Sequence, residues 1–281
     1  MMIDTLTTFG QSKIQHGKHS DRVYLMHLAT ADLQGIIPHL RALAGDRGYS
    51  KIFAKIPAAA EDTFLADGYT VEASIPNFFR GQESALFLGK YFSPERQEEK
   101  RPASVAEALD LARQKATLGG GHQPLDAALR CRQMLPTDTP PMAALYRQVF
   151  ATYPFPIHDE AYLRQTMAED VIYFGIWEGS ELIALTSAEM DRKGENAEMT
   201  DFATRPDCQG RGLANYLLAQ AEAAAAQCGI KTAYTIARSY SPGMNITFAR
   251  NGYTYSGTLT HNTQISGTLE SMNVWHKSLL P

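Results

Sequence analysis

The chain has 281 residues, 44% hydrophobic and 20% charged, with a net charge of −4. Length and composition fit a globular protein of one large or two ordinary domains. The acidic balance argues against a nucleic-acid or anionic-membrane partner, and no stretch is apolar for long enough to span a bilayer. The opening MMIDTLTTFGQSKIQHGKHS has no apolar leader segment. Cys131, Cys208 and Cys228 are odd in number and lack metal or redox spacing, so reduced thiols, a cytoplasmic setting and no metal are expected.

In chain order, Asp21 to His27 alternates as a strand, and Asp32 is placed to cap a helix that Pro38 would kink or shorten. KIFAKI is a second strand, Pro57 to Asp67 a helix stopped by Gly68, and Tyr69 to Ile75 and Ala85 to Tyr91 an antiparallel pair. The charged SPERQEEKRP reads as the start of a linker, followed by a helix from Val105 that Gly119-Gly120-Gly121 breaks. Leu129 to Leu135 is expected as a strand and PMAALYRQVFATY as a helix. The loop YPFPIHD is held extended by Pro154 and Pro156, and a short helix spans Glu160 to Glu169. VIYFGIWEG and ELIALTSAEMD form a hairpin. Then come a strand through Ala203, a long helix to Gln227, the strand KTAYTIAR, the helix NITFAR, and the strands YTYSGTL and MNVWHKSLL.

AEMTDFATRPDCQGRGLA carries the strongest chemical signal. Pro206 ends a strand, Gly210 and Gly212 form a turn, and strong helix formers follow. Unpaired amides and the helix dipole make such a turn an anion site. It lacks the Lys-Ser/Thr of a P-loop and the third glycine of the dinucleotide fingerprint. What it does match is Q/R-x-x-G-x-G/A, as Gln209-x-x-Gly212-x-Ala214. It thus resembles the acetyl-CoA pyrophosphate loop of the GNAT N-acetyltransferases. The element order from about Cys131 to Leu280, with Asn245 opening the penultimate helix and Gly252-Tyr253 closing it, is also that of the GNAT fold.

An internal repeat accounts for the first half. HLRALAGDRGYSKIFAKIPAAAEDTFLADGYTVEA lines up with LLAQAEAAAAQCGIKTAYTIARSYSPGMNITFARNGYTYSG. The expected fold is therefore α/β (α+β), a catalytic GNAT domain with a mixed, splayed sheet at 124–281. An N-terminal segment at 1–20, a degenerate half-GNAT copy at 21–92, and a linker with a helix at 93–123 precede it. The copy lacks a phosphate loop and is expected to extend the sheet or wall the substrate pocket.

The resemblance implies roles. Backbone groups of Phe202, Ala203 and Thr204 would pair with the pantetheine arm, the Phe202 amide polarising the thioester carbonyl. Amides of Gln209, Gly210, Arg211, Gly212, Leu213, Ala214 and Asn215 would hold the pyrophosphate, with the Arg211 side chain free to add charge. Asn245 would steady the pantetheine or a water near the sulfur. Glu198 falls where several GNAT enzymes place a general base, and a bulge would bring Asp201 into the same pocket to bind a substrate ammonium. Phe248 stands where many members have the tyrosine that protonates the leaving thiolate, leaving Tyr240, Tyr253 or a water on Asn245 for that step. Cys208 has no histidine partner, so direct transfer is expected.

TDFATRPDCQGRGLANYLL, YTIARSYSPGMNITFARNGYTYSGTL, ESMNVWHKSL, KIFAKIP and DGYTVEASIPNFFRG are similar to the beta-lysine N-acetyltransferase family. That family acetylates the 6-amino group of 3,6-diaminohexanoate to make a compatible solute used against osmotic stress. The resemblance implies a small diamino-acid substrate, and a homodimer remains open. Glu198, Asp201 and Glu270 are the candidates for its amines, and Arg238, Asn262 and Arg80 for its carboxylate. Tyr153 and Phe155 would wall the pocket, and His261 and His276 are read as structural or exposed. Another diamine, a protein amine, or a catalytically silent acetyl-CoA sensor stay as alternatives.

Overall fold

The computed structural model describes residues 4–117 and 124–280; the triple-glycine break falls outside them. The strands are β1 (Thr5–Phe9), β2 (Ser12–Gly17), β3 (Arg22–His27), β4 (Lys51–Pro57), β5 (Thr70–Phe79), β6 (Glu83–Tyr91), β7 (Leu129–Gln133), β8 (Val171–Glu178), β9 (Glu181–Asp191), β10 (Asn196–Thr204), β11 (Thr232–Arg238), β12 (Thr254–Ile265) and β13 (Thr268–Ser278). The helices are α1 (Leu33–Arg47), α2 (Glu61–Ala66), α3 (Pro94–Gln97), α4 (Pro102–Ala116), α5 (Thr139–Val149), α6 (Glu160–Ala168), α7 (Leu213–Gln227) and α8 (Pro242–Arg250).

All thirteen strands join one sheet in the order β1-β2-β3-β4-β6-β5-β12-β13-β11-β10-β9-β8-β7. Apart from β7 the order is a palindrome, and the pairing modes mirror too. β3–β4 and β10–β11 are parallel, and every other neighbouring pair is antiparallel. The two aligned repeats end at Ala73 and Gly257, and these residues pair with each other at the β5–β12 seam. The first half therefore carries counterparts of β8 to β13, including two strands in the stretch expected as a mere N-terminal segment.

Packing at the seam requires a glycine. Gly257 sits at φ +147, and a Cβ there would come within 2.1 Å of the Glu72 carbonyl. Beside it a buried ion pair ties four strands. Lys51 Nζ donates to Glu72 at 2.8 Å and to the Thr260 carbonyl at 2.8 Å. Glu72 also accepts from the Thr260 amide and the Tyr91 hydroxyl. Burial pulls the Lys51 ammonium down to about 8, against the opposing pull of Glu72. Glu72→Ala strands that ammonium in the interior, and we expect a loss of roughly 3–5 kcal/mol in denaturant unfolding. A loss below about 1 kcal/mol would mean that the cluster does not hold the halves together.

Several local expectations change. Helix α1 runs on through Pro38 and ends at left-handed Gly48. Asp32 stands at its N-cap, yet its carboxylate accepts from the Gln11 amide and from the amide and hydroxyl of Ser12. Asp32 thus lies in the β3–α1 connection, the counterpart of the β10–α7 glycine turn, but spends its carboxylate on the β1–β2 turn. The charged segment after Ser93 does not behave as a free linker. Arg96 is 5% exposed and donates to the carbonyls of His261 and Ser20 and to Ser50 Oγ. Glu99 accepts from Ser271 and Tyr240. β12 and β13 extend past the expected strands through His261, Asn262, Thr263, Glu270 and Ser271, all buried and polar. No hydrophobic alternation announces them, because they face polar partners inside the molecule.

Candidate active site

The sheet curls so that β3 and β4 of the first half face β10, β11 and β12 of the second. Its concave side encloses a cleft of about 900 Å³ lined by both halves, among them Tyr24, Phe53, Lys55, Tyr153, Glu198 and Tyr234. Gln15 on β2 donates to the Pro154 carbonyl, closing the rim against the proline loop.

β10 and β11 pair only from Asn196–Thr232 to Glu198–Tyr234, and beyond that point they separate. The β9–β10 register slips between Thr200 and Ala203, with Asp201 at φ +55. A regular strand would send Asp201 to the far face; the bulge turns it into the cleft beside Glu198, Thr200 and Phe202. Its carboxylate accepts from Tyr153 Oη and from Ser187 Oγ at 2.7 Å.

Glu198 faces Glu189 directly across the β9–β10 ladder. Both side chains lie in the cleft, half-buried by exposed area. Burial, reinforced by Asp201 and Glu198, pushes Glu189 well above the ordinary carboxyl range. Burial also raises Glu198, opposed by Lys55, by a hydrogen bond from Tyr234 and by Arg22. Lys55 Nζ donates to Tyr234 Oη at 3.0 Å, so an ammonium from β4 reaches the acid group through a phenol on β11. Burial lowers the Lys55 pKa while Glu198, Asp191 and Glu189 support its charge. Glu189 could have been found by counting back across the hairpin from the Asp191–Asn196 turn. Lys55 could not, since it comes from the other half of the chain.

The glycine turn follows. Pro206–Cys208 forms one 3₁₀ turn, Gly210 and Gly212 take φ +79 and +76, and α7 starts at Leu213. Neither glycine would bring a Cβ within 4 Å of another atom, so the turn opens outward. Among the described residues, the amides of Gly210, Arg211, Gly212, Leu213 and Ala214 have no backbone acceptor. Asn215 donates its amide to the Gly212 carbonyl. Buried Leu213 anchors the helix start in the core. Gln209 closes the 3₁₀ turn in extended geometry, and Ala203 and Thr204 continue the edge that β11 leaves unpaired. An anion such as a pyrophosphate fits this set of outward amides.

Among the other candidates, several are placed differently from expectation. The Arg211 guanidinium is not free: it pairs with Glu178 at 3.1 Å on the surface, where such a pair contributes little and opens easily. Asn245 is fully buried and saturated. It donates to the Arg238 and Ser241 carbonyls and accepts from Asn273 Nδ2 and Trp275 Nε1, so it braces the end of β11 and touches no cleft. Tyr240 lies off the cleft, its hydroxyl donating to Glu99, and burial with that carboxylate pushes its pKa to about 12. Tyr253 is buried beneath Phe248, which walls the cleft edge-on to Phe202. Glu270, 3% exposed, is consumed by a two-pronged ion pair with Arg238, at 2.6 and 2.9 Å. Arg238 lines the cleft; Glu270 does not, and Arg80 sits on the β5–β6 turn away from it. Asn262, Tyr153 and Phe155 do line it. His261 and His276 bond to the Arg96 carbonyl and Ser256 Oγ, in structural positions. The three cysteines are free, and Cys208 is buried. Among the described residues no cluster could hold a metal and no helix could cross a membrane.

Comparison with known proteins identifies the family. Residues 142–253 match the family model described as acetyltransferase (GNAT) family. The beta-lysine N(6)-acetyltransferase of Methanococcus maripaludis is 37% identical over 276 residues, covering 98% of this chain and 99% of that protein. The beta-lysine N(6)-acetyltransferase of Methanosarcina mazei is 30% identical, covering 85% of this chain and 95% of that one. Ribosomal-protein-S18-alanine N-acetyltransferase from Escherichia coli superposes with a TM-score of 0.48 at 14% identity, over 54% of this chain and 95% of its own. The chain belongs to the GNAT family and is an N-acetyltransferase. Within that family it groups with the relatives that bear the name beta-lysine N(6)-acetyltransferase.

Proposed function

We propose that the protein transfers an acetyl group from acetyl-CoA to the 6-amino group of beta-lysine. The observation that supports this most is the acid group Glu189, Glu198 and Asp201, set where β10 and β11 separate and facing a cleft that also holds guanidinium groups. A dication with one carboxylate matches that distribution of charge. Full-length similarity to two named beta-lysine acetyltransferases favours the same substrate.

On this reading the outward amides from Gly210 to Ala214 hold the pyrophosphate of acetyl-CoA, whose bound thioester supplies the acetyl group. The edge at Phe202 to Thr204 orients the pantetheine arm, with the Phe202 amide towards the carbonyl. Glu198 takes the proton from the 6-ammonium, whose ordinary pKa near ~10.4 keeps it unreactive at neutral pH. Asp201, fixed by Tyr153 and Ser187, aligns that ammonium. Asn245 acts at one remove, by holding the end of β11. The palindromic sheet supports reading the first half as a degenerate copy whose present use is to wall the acceptor cleft. A compatible-solute role and a cytoplasmic setting follow from the same proposal.

The test is release of free thiol from acetyl-CoA with beta-lysine, lysine and a lysine peptide as acceptors. Beta-lysine is expected to give the highest kcat/KM, with the acetyl group on N6 by mass spectrometry or NMR. Preference for the peptide would overturn the substrate, and failure of all three amines to raise thiol release above the amine-free rate would overturn transfer to an acceptor of this class.

A further inference from the structure

Arg22, the first residue of β3, is a buried cation with no carboxylate against it. It is 4% exposed and lines the cleft. Its Nη1 donates to the Asn262 carbonyl at 2.5 Å and to Thr263 Oγ1 at 3.0 Å, and Nη2 reaches Gln15 Oε1 only at 3.5 Å. These acceptors are all neutral, and Nε has none. Asp4 and Glu198 act on the charge only from beyond ion-pair distance. The guanidinium is framed by the rings of Tyr24 and Phe53, at 5.1 and 5.7 Å. A buried cation left in this state is costly unless something pairs with it.

The other cations of the cleft are committed or wet. Arg238 is bound by Glu270, Lys55 belongs to the acid group, and Lys13, Arg192 and Lys193 are exposed. Asn262 lines the cleft next to Arg22, 1% exposed, with an Oδ1 that has no donor. We propose that Arg22 is the anchor for the carboxylate of the acceptor, and that Asn262 Oδ1 accepts from the ammonium on its carbon 3. Gln15, tied to Pro154, sets the guanidinium against the proline loop. The first half of the chain then does more than wall the site: it selects an amino acid over a plain diamine. The proposal rests on the beta-lysine reading and deepens it.

The probe is a pair of acceptors that differ only in this group, beta-lysine and its carboxamide. The wild-type protein is expected to favour the acid by about 100-fold in kcat/KM, as for a desolvated charge pair. Arg22→Gln should bring that ratio close to one by raising the KM of the acid, because a remote anchor binds ground and transition states alike; the lost charge also lets Glu198 rise, which slows both acceptors equally and cancels in the ratio. Asn262→Asp, by offering Arg22 an internal carboxylate, should also collapse the ratio. Equal use of acid and amide by the wild type, which needs no variant to fold, overturns the proposal; so does a ratio that survives Arg22→Gln. Failure of the wild type on both acceptors would instead overturn the beta-lysine reading itself.

Discussion

Glu198→Gln is expected to lower kcat by 10²- to 10⁴-fold, the range for loss of a general base, while the dissociation constant for acetyl-CoA changes little. The substitution keeps the shape of the side chain and its contact with Tyr234, and it lies away from the outward amides of the glycine turn. Burial raises the Glu198 carboxyl above the ordinary glutamate value. A base works only when deprotonated, so activity should rise with pH through that raised pKa. The acidic limb of kcat/KM should therefore lie above the usual carboxylate range, and in Glu198→Gln that limb should vanish. Glu189, opposite on the ladder and raised further by burial, is the internal control. If Glu189→Gln removes the limb and Glu198→Gln leaves it, the roles are reversed and Glu198 only tunes its neighbour.

Gly212→Glu should raise the dissociation constant for coenzyme A at least 100-fold in calorimetry. Two effects add. The position has φ +76, which an L residue adopts with strain, and the new carboxylate stands where the amides of α7 await an anion. Like charges brought together at a binding site cost several kcal/mol, and each 1.4 kcal/mol is tenfold in affinity. Gly212→Ala separates the two effects. A Cβ there meets nothing within 4 Å, so it adds strain without charge and should weaken binding far less. Equal losses in the two variants would show that backbone geometry, and no anion at this turn, controls the affinity.

The glycine turn before α7 was legible in the chain because its signal is local. Pro206 must end a strand, Gly210 and Gly212 permit positive φ, and the alanine-rich run must start a helix. The repeat was legible for the same reason, since helix, glycine, strand and Gly-Tyr follow one another closely in both copies. Errors arose wherever a side chain had a partner far along the chain. Arg238 and Glu270 looked like two ligands for a substrate, but β11 and β13 are neighbours and the opposite charges meet each other first. Asn245 looked free, but four partners from β11, β13 and its own turn use every donor and acceptor it has. The polar extensions of β12 and β13 have no periodicity, because their burial is compensated by Arg96 and Glu99 rather than by apolar neighbours.

What the sequence by itself determined, then, is the family, the glycine turn between β10 and α7 and the place of Glu198 on its strand, all properties of short runs whose backbone preferences need no distant contact. Only the tertiary structure decided what lines the cleft. Curling a thirteen-stranded sheet brings Arg22 and Lys55 against β10, β11 and β12, and no local propensity records which residues face each other across a cleft closed by two halves of one chain.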